Sequence, residues 1–225
     1  MARQQSERRN RKADIVRCFG ELVAERGYDG VSLRDVAERL GMSKGTILHH
    51  FQSKDRLLER VHSDYMERRL AEAHELLARL ESPAAQLAGL IYQLMRAEHD
   101  DHPATIAFAR EIMRFASDEV MSDVRRMRDE YSELLRAVVQ RGMDEGGFVQ
   151  ADAAIVTLQI FGMCNWSWTW YRPSGAWSAE DIAETFTRVI LGGLALDSAT
   201  ELSDEVVDAV RITMAAHAPA PAAPA

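Results

Sequence analysis

The sequence predicts an all-α fold, with a group of short helices at the N-terminus and a larger helical body behind it. Three observations carry this. Apolar residues recur at helical spacing along most of the 225-residue chain. Serines and prolines stand where helices would start, and glycines where they would stop. No stretch alternates apolar and polar residues as a half-buried strand would.

The first helix is read over residues 7–26, where Ile15, Val16, Phe19, Leu22 and Val23 share one face and Gly27 follows as the stop. Ser32, with Asp35 three residues on, has the form of a capping box. Leu33, Val36, Ala37 and Leu40 form the inner face of this second helix, and Gly41 ends it. Ser43 caps a third, short helix through His50, and Ser53 a fourth, long one whose stripe begins Leu57, Leu58, Val61 and Tyr65. Pro83 opens a helix containing Leu87, Leu90, Ile91, Leu94 and Met95. Pro103 sits in the first turn of another, running through Ile106, Ile112, Met113 and Phe115. Residues 118–145 read as a long helix carrying Val124, Met127, Tyr131, Leu134 and Val138, ended by Gly146-Gly147. Two more long helices are expected at 152–171 and 178–196, separated by Arg172-Pro173-Ser174-Gly175. A weaker amphipathic helix is placed at 203–217, before an Ala/Pro tail whose composition cannot build a core.

Apolar residues make up 47% of the chain and charged residues 28%, which suits a folded, soluble protein. No apolar run approaches the roughly 20 residues that span a bilayer, and the charged N-terminus lacks a signal core. A cytoplasmic protein with no membrane partner is expected. Cys18 and Cys164 make no disulfide framework and read as small buried hydrophobes. The net charge of −8 is unevenly spread. Residues 1–60 hold 13 Lys/Arg against 9 Asp/Glu, a net +4; residues 61–225 hold 14 against 26, a net −12. A positive end can meet phosphates while an acidic body stays off them.

The most informative stretch is residues 32–54, SLRDVAERLGMSKGTILHHFQSK. Ala37 is small enough for a second helix to cross closely, Gly41 can take the positive φ of the turn, and Met42 and Ile47 can pin the two helices together. This is the pattern of a helix-turn-helix, whose second helix presents its N-terminal residues to the DNA major groove. Ser43, Lys44, Gly45 and Thr46 occupy that position, His49 and His50 follow one turn later, and Lys54 stands within reach of another phosphate. Arg3, Arg8, Arg9, Arg11 and Lys12 fit a phosphate-contacting arm as well as a solvated helix start.

Residues 10–58 resemble the TetR family of bacterial regulators. That family's hallmark is a short recognition helix followed by Phe, a polar residue, Ser or Asn, and Lys. Gly41, Ser43, Thr46, His50, Phe51, Ser53 and Lys54 match it, as does the run from Ala24-Glu25-Arg26-Gly27-Tyr28 through Ser43. The resemblance implies an N-terminal three-helix helix-turn-helix DNA-binding domain (residues 1–52) and a larger C-terminal helical ligand-binding and dimerisation domain (53–197), to which the sequence pattern adds an extra helix and tail (198–225). The DNA face it implies is Ser32, Ser43, Lys44, Gly45, Thr46, Leu48, His49, His50 and Lys54. Leu48 is a departure: the family usually has Tyr there, touching a phosphate, and Leu can instead pack or meet a thymine methyl.

Within the body, all four tryptophans fall between residues 166 and 177. Candidate walls of a ligand pocket are Tyr65, Met66, Ile91, Met95, Phe108, Met113, Met127, Tyr131 and Met163, with Trp166, Trp170 and Arg172, although such residues also fill ordinary cores. In the family the last two long helices pair with those of a second subunit, which here implies a homodimer seam of Gly162, Trp166, Ile182, Phe186, Ile190, Gly193 and Leu194. The segments WYRPSG (170–175) and FTRVILGGL (186–194) resemble a subgroup that includes CoA-thioester-sensing regulators of lipid and steroid breakdown. Residues 151–171 hold no basic residue, however, so Arg110, Arg114 and Arg172 are the cations available for such a ligand.

The reading is therefore a homodimeric repressor that binds a palindromic operator and is released by a small, mainly apolar effector, with an acyl-CoA or aryl-CoA thioester among the candidates. The alternative is a helix-turn-helix activator or adaptor with no effector. No nucleophile elbow, P-loop or dinucleotide fingerprint marks an enzyme. His99-Asp100-Asp101-His102 reads as a polar loop and cap in preference to a metal site, and no metal or cofactor is expected.

Overall fold

The computed structural model describes residues 2–111 and 119–195, and the regular elements among them are helical. In chain order they are α1 (Ala2–Arg26), α2 (Leu33–Arg39), α3 (Lys44–Phe51), α4 (Lys54–Arg79), α5 (Pro83–Asp100), α6 (His102–Glu111), a 3-10 turn (Glu119–Met121), α7 (Ser122–Asp144), α8 (Ala153–Asn165), a second 3-10 turn (Trp166–Thr169) and α9 (Ala179–Leu194). No helix among the described residues is long and apolar enough to cross a membrane.

Local chemistry sets these boundaries. Ser32, Ser43, Ser53, Ser82 and Ser178 each accept the backbone N–H of the residue three positions on, and so cap α2, α3, α4, α5 and α9. Each such cap is worth about 1 kcal/mol. Asp35 and Asp181 reciprocate by accepting the N–H of Ser32 and Ser178. Gly27, Gly41 and Gly146 take positive φ at turns.

Three expected boundaries differ. α1 reaches back to Ala2, because residues 2–6 hold no Gly or Pro to stop it. The long helix expected from 118 opens as a 3-10 turn, and α7 proper begins at Ser122. The helix expected over 152–171 ends at Asn165. There the Ser167 hydroxyl takes the Cys164 carbonyl and the Thr169 hydroxyl takes the Trp166 carbonyl. Such local side-chain bonds compete with the α-helical ladder and favour the tighter turn. Ile112, Met113, Arg114 and Phe115, the helix expected at 203–217 and the Ala/Pro tail lie outside the described residues.

One apolar cluster runs through the whole molecule. Phe19 of α1, Val36 of α2 and Ile47 of α3 meet Leu57, Leu58 and Val61 from the first turns of α4. Further along α4, Tyr65, Met66, Leu70 and Ala73 pack into the body against α5 and α7. α4 thus belongs to both parts. α5 lies at the centre of the body, with α4, α7, α8 and α9 around it.

Close packing is demanding at Gly142 of α7, where a Cβ would stand 2.2 Å from Cδ2 of buried Phe148. Alanine gains about 1 kcal/mol in helix propensity over glycine, but overpacking a filled core costs about 1–3 kcal/mol. The steric effect should win. Gly142→Ala is expected to lower stability by about 1–2 kcal/mol in urea unfolding; an unchanged or raised midpoint would show that Phe148 moves aside freely.

Candidate functional site

The head presents α3 outward. Ser43 accepts the Thr46 N–H at 3.1 Å, and the two hydroxyls touch at 3.0 Å. Ile47 is buried and anchors the helix, while Leu48 is half-buried against the core. Lys44, Gly45 and His49 are exposed; Thr46 and His50 are partly so. Ser32 is exposed at the start of α2. Ser32 and Ser43 thus cap α2 and α3 from exposed positions, and Leu48 packs against the core.

Lys54 differs from its expected placement. Its Nζ donates to the Tyr28 carbonyl at 2.6 Å and lies 3.9 Å from the centre of the Tyr28 ring. The cation is engaged within the protein instead of reaching outward. The turn that places it is strained: Gln52 takes φ 66, ψ −47, and Ser53 N–H donates to Phe51 O at 2.7 Å. This is a γ-turn with positive φ, a conformation costly for a non-glycine residue. Two residues beyond Lys54, Arg56 is exposed and lines a groove of about 650 Å³ with Lys12, His50, Gln52 and Arg60. Arg56, in the first turn of α4, was not among the residues expected to face DNA.

Inside the body, Tyr65, Met66, Ile91, Met95, Met127 and Tyr131 are buried together, with Phe108 and Met163 half-buried at the edge. The Tyr65 and Phe108 rings are 5.0 Å apart. Burial pushes the Tyr65 hydroxyl up to about 12 and lowers buried His62 to about 3, so both are neutral. Trp166, Trp170 and Arg172 do not join this group. Trp166 is 65% exposed, Trp170 packs edge-on to Phe186, and exposed Arg172 bonds the Tyr171 carbonyl. Ending α8 at Asn165 is what turns them away. Arg110 is not near the interior either: it donates to the Ala24 carbonyl at 2.8 Å. The four polar residues before Pro103 take separate partners. His99 meets the Tyr171 hydroxyl, His102 the Glu98 carbonyl, Asp100 pairs with Arg96 and Asp101 with Arg68.

The expected α9 seam also needs correction. Ile182, Ile190 and Leu194 are buried against the chain's own α5, and Phe186 is half-buried. Gly162, Trp166 and Gly193 of the expected seam are exposed, and the outward apolar stripe joins them with Ile155 and Leu158 on α8 and Val189 on α9. Leu158 is 68% exposed and Val189 63%. Val149 N–H donates to Leu194 O at 2.7 Å, and Trp170 meets Phe186, so the segment before α8 lies at the end of α9 and the residue after the second 3-10 turn lies beside its middle.

Sequence reasoning missed Glu98. It is 2% exposed, and its Oε1 stands 2.9 Å from the Ser167 hydroxyl oxygen. A signal existed: Glu98 stands three residues after Met95 on the buried stripe of α5. Burial raises its pKa from 4.5 to about 7, against a smaller lowering by Ser167. The unfolded chain would release this proton near 4.5 and the folded chain near 7, so folded-state stability falls as pH rises between those values. Relative to Glu98→Gln, the native chain should lose about 3 kcal/mol between pH 4.5 and 8. Urea unfolding of both proteins across that range checks it; parallel curves would place Glu98 in a wetter setting.

Two family models match the chain: "Bacterial regulatory proteins, tetR family" over residues 21–61 and "Tetracyclin repressor-like, C-terminal domain" over residues 80–194. The HTH-type transcriptional repressor KstR2 of Mycolicibacterium smegmatis is 24% identical over 186 residues, covering 82% of this chain and 91% of the relative. The ketosteroid transcriptional regulator KstR2 of Mycobacterium tuberculosis has the same fold, with a TM-score of 0.77 at 24% identity over 82% of this chain and 95% of that one. AibR, solved with isovaleryl coenzyme A and operator DNA, superposes with a TM-score of 0.74 at 20% identity, over 80% of this chain and 97% of that one. With a basic helix-turn-helix head, an all-helical body and a C-terminal match spanning half its length, the chain belongs to the TetR family of DNA-binding transcriptional regulators.

Proposed function

We propose that this chain is a homodimeric repressor that binds a palindromic operator in the cytoplasm and is released by a small, mainly apolar effector. The observation that carries the reading is the division of charge and exposure. A basic head (residues 1–52) offers exposed Lys44, Gly45 and His49 at its tip, and the body from residue 53 to 197 is acidic and apolar within. Lys44 and Arg56 meet phosphates; Thr46 and His49 read base edges; Ser32, Ser43 and Gly45 let the backbone approach closely. Two such heads about 34–36 Å apart would enter successive major grooves.

The stripe of Ile155, Leu158, Gly162, Trp166, Val189 and Gly193 supplies the seam between two copies, because a monomer would leave it in water. The effector enters among Tyr65, Ile91, Met95, Met127 and Tyr131, where methionines adapt to varied shapes. Of the similar proteins, the KstR2 of Mycobacterium tuberculosis is described as a ketosteroid transcriptional regulator, and AibR was solved with isovaleryl coenzyme A and operator DNA. An acyl-CoA or aryl-CoA thioester suits the apolar interior in its acyl part, while its phosphates would meet an acidic body and need arginines outside it.

On the DNA face, Lys44→Ala and Arg56→Ala should weaken binding equally on operator and random DNA, each lowering the salt slope by about 1. Lys54→Ala should instead cost about 2 kcal/mol of folding stability, with an unaltered salt slope. A salt-slope change for Lys54→Ala matching that of Lys44→Ala would return it to the phosphate-facing set.

At the seam, Leu158→Glu combined with Val189→Asp should give a folded monomer by sedimentation, with operator affinity reduced at least about a hundredfold, since a charge buried in an apolar contact costs several kcal/mol. A variant pair that remains dimeric would move the seam elsewhere.

A further inference from the structure

Glu98 lies where α5 meets the end of α8, enclosed by Tyr65 of α4, Met95 one turn earlier on α5, Cys164 of α8 and Ser167 of the following 3-10 turn. Ser167 Oγ stands 2.9 Å from Glu98 Oε1 and 2.5 Å from the Cys164 carbonyl oxygen. A hydroxyl has one proton to donate. Both contacts are hydrogen bonds only when Glu98 carries a proton on Oε1, donates it to Ser167, and Ser167 donates onward to Cys164. The other carboxyl oxygen, Oε2, is then a carbonyl-type acceptor. It is buried and has no hydrogen-bond partner among the described residues. An acceptor left unmet in a dry interior keeps its whole desolvation cost.

We propose that Glu98 Oε2 holds the polar end of the effector, and that this effector is an uncharged, apolar molecule bearing a hydrogen-bond donor, a hydroxyl foremost. This rests on the reading above that the body takes an effector, and it names that ligand's class. Charge decides the class. An anion would face a carboxyl group inside a net-acidic body. A cation would require Glu98 to ionise, which its burial opposes. Tyr65, Cys164 and Tyr171, which face Glu98, supply no charge. Tyr65 and Cys164 are each pushed up to about 12 by burial, and Tyr171 is raised. His102 is occupied with the Glu98 backbone carbonyl and His99 with the Tyr171 hydroxyl.

The test uses the full chain without DNA and two isomeric probes, n-decanol and methyl nonyl ether, which share composition and an oxygen but differ in the donor. Decanoate and decylamine serve as charged arms. Calorimetric titration at pH 6 should give the alcohol at least about tenfold tighter binding than the ether or either ion. Infrared difference spectra should show the protonated carboxyl stretch of Glu98 moving to lower frequency with the alcohol only, the band being assigned by its loss in Glu98→Gln. Glu98→Gln should keep the preference, since its amide oxygen accepts and its amide N–H reaches Ser167; Glu98→Met should abolish it. Equal binding of the two isomers, binding of neither, tighter binding of an ion, or a preference that survives Glu98→Met would overturn the proposal. So would a carboxyl band already at its hydrogen-bonded frequency before alcohol is added, which would assign Oε2 to water. The infrared arm needs no destabilised variant. Operator binding is measured separately: its failure would count against the repressor reading, while the alcohol–ether comparison alone decides the role of Glu98.

Discussion

The position of the DNA-facing helices depends on Tyr28, which the fold ties at each of its polar atoms. Its N–H donates to the Glu111 carboxylate of α6 at 2.8 Å. Its carbonyl accepts from Lys54, whose ammonium also covers the ring, and its hydroxyl donates to Asp55. The ring edge rests on Phe19. Tyr28 sits in the turn between α1 and α2, so it fixes where α2, and α3 beyond it, leave the body. These bonds are charge-assisted and partly buried, which makes them stronger than the exposed ion pairs along α4 and α7. Lys54 is held in this knot, and the outward cation at the start of α4 is Arg56.

What could be read from the sequence follows the range of the interactions involved. The helix-turn-helix was legible because its determinants are local: Ser32 with Asp35, Ser43 with Thr46, and Gly41 in its turn all act within a few residues. Lys54 was misplaced because its partner, Tyr28, is 26 residues away and nothing in the motif announces it. The α9 stripe was recognised as apolar, but periodicity cannot say whether a stripe faces its own core or another subunit. Here α5 takes Ile182, Ile190 and Leu194, and the outward apolar surface falls on neighbouring positions. The end of α8 was lost for a similar reason. Ser167 and Thr169 look like tolerable helix residues until their hydroxyls take backbone carbonyls.

Charge and packing divide the molecule more sharply than the fold does. One hydrophobic cluster joins head and body without a break, yet the first 60 residues carry net +4 and the remainder −12. The acidic body repels a nucleic acid wherever the head is not the part in contact, so orientation on DNA is set before any base is read. The same acidity bears on what the body can admit. Among the described residues, its interior holds neutral phenols, a neutral thiol and methionines, with the carboxyl of Glu98 and the guanidinium of Arg69. A charged ligand group would lose hydration there with little to replace it, whereas an apolar body loses nothing.

Glu98 and Tyr28 stand at opposite ends of one short helix. At the start of α6, Thr105 and His102 take the carbonyls of Ala97 and Glu98, in the last turn of α5. At its far end, Arg110 and Glu111 take the carbonyl of Ala24 and the N–H of Tyr28. α6 is ten residues long, a rod of about 15 Å, and a hydrogen-bonded helix of that length moves as a unit. A donor group admitted beside Glu98 must displace side chains around the end of α5, where α6 hangs. Bonds of 2.8 Å are lost when their atoms part by less than an ångström. A sub-ångström shift of α6 is therefore enough to loosen Tyr28, and with it the turn that aims α2 and α3.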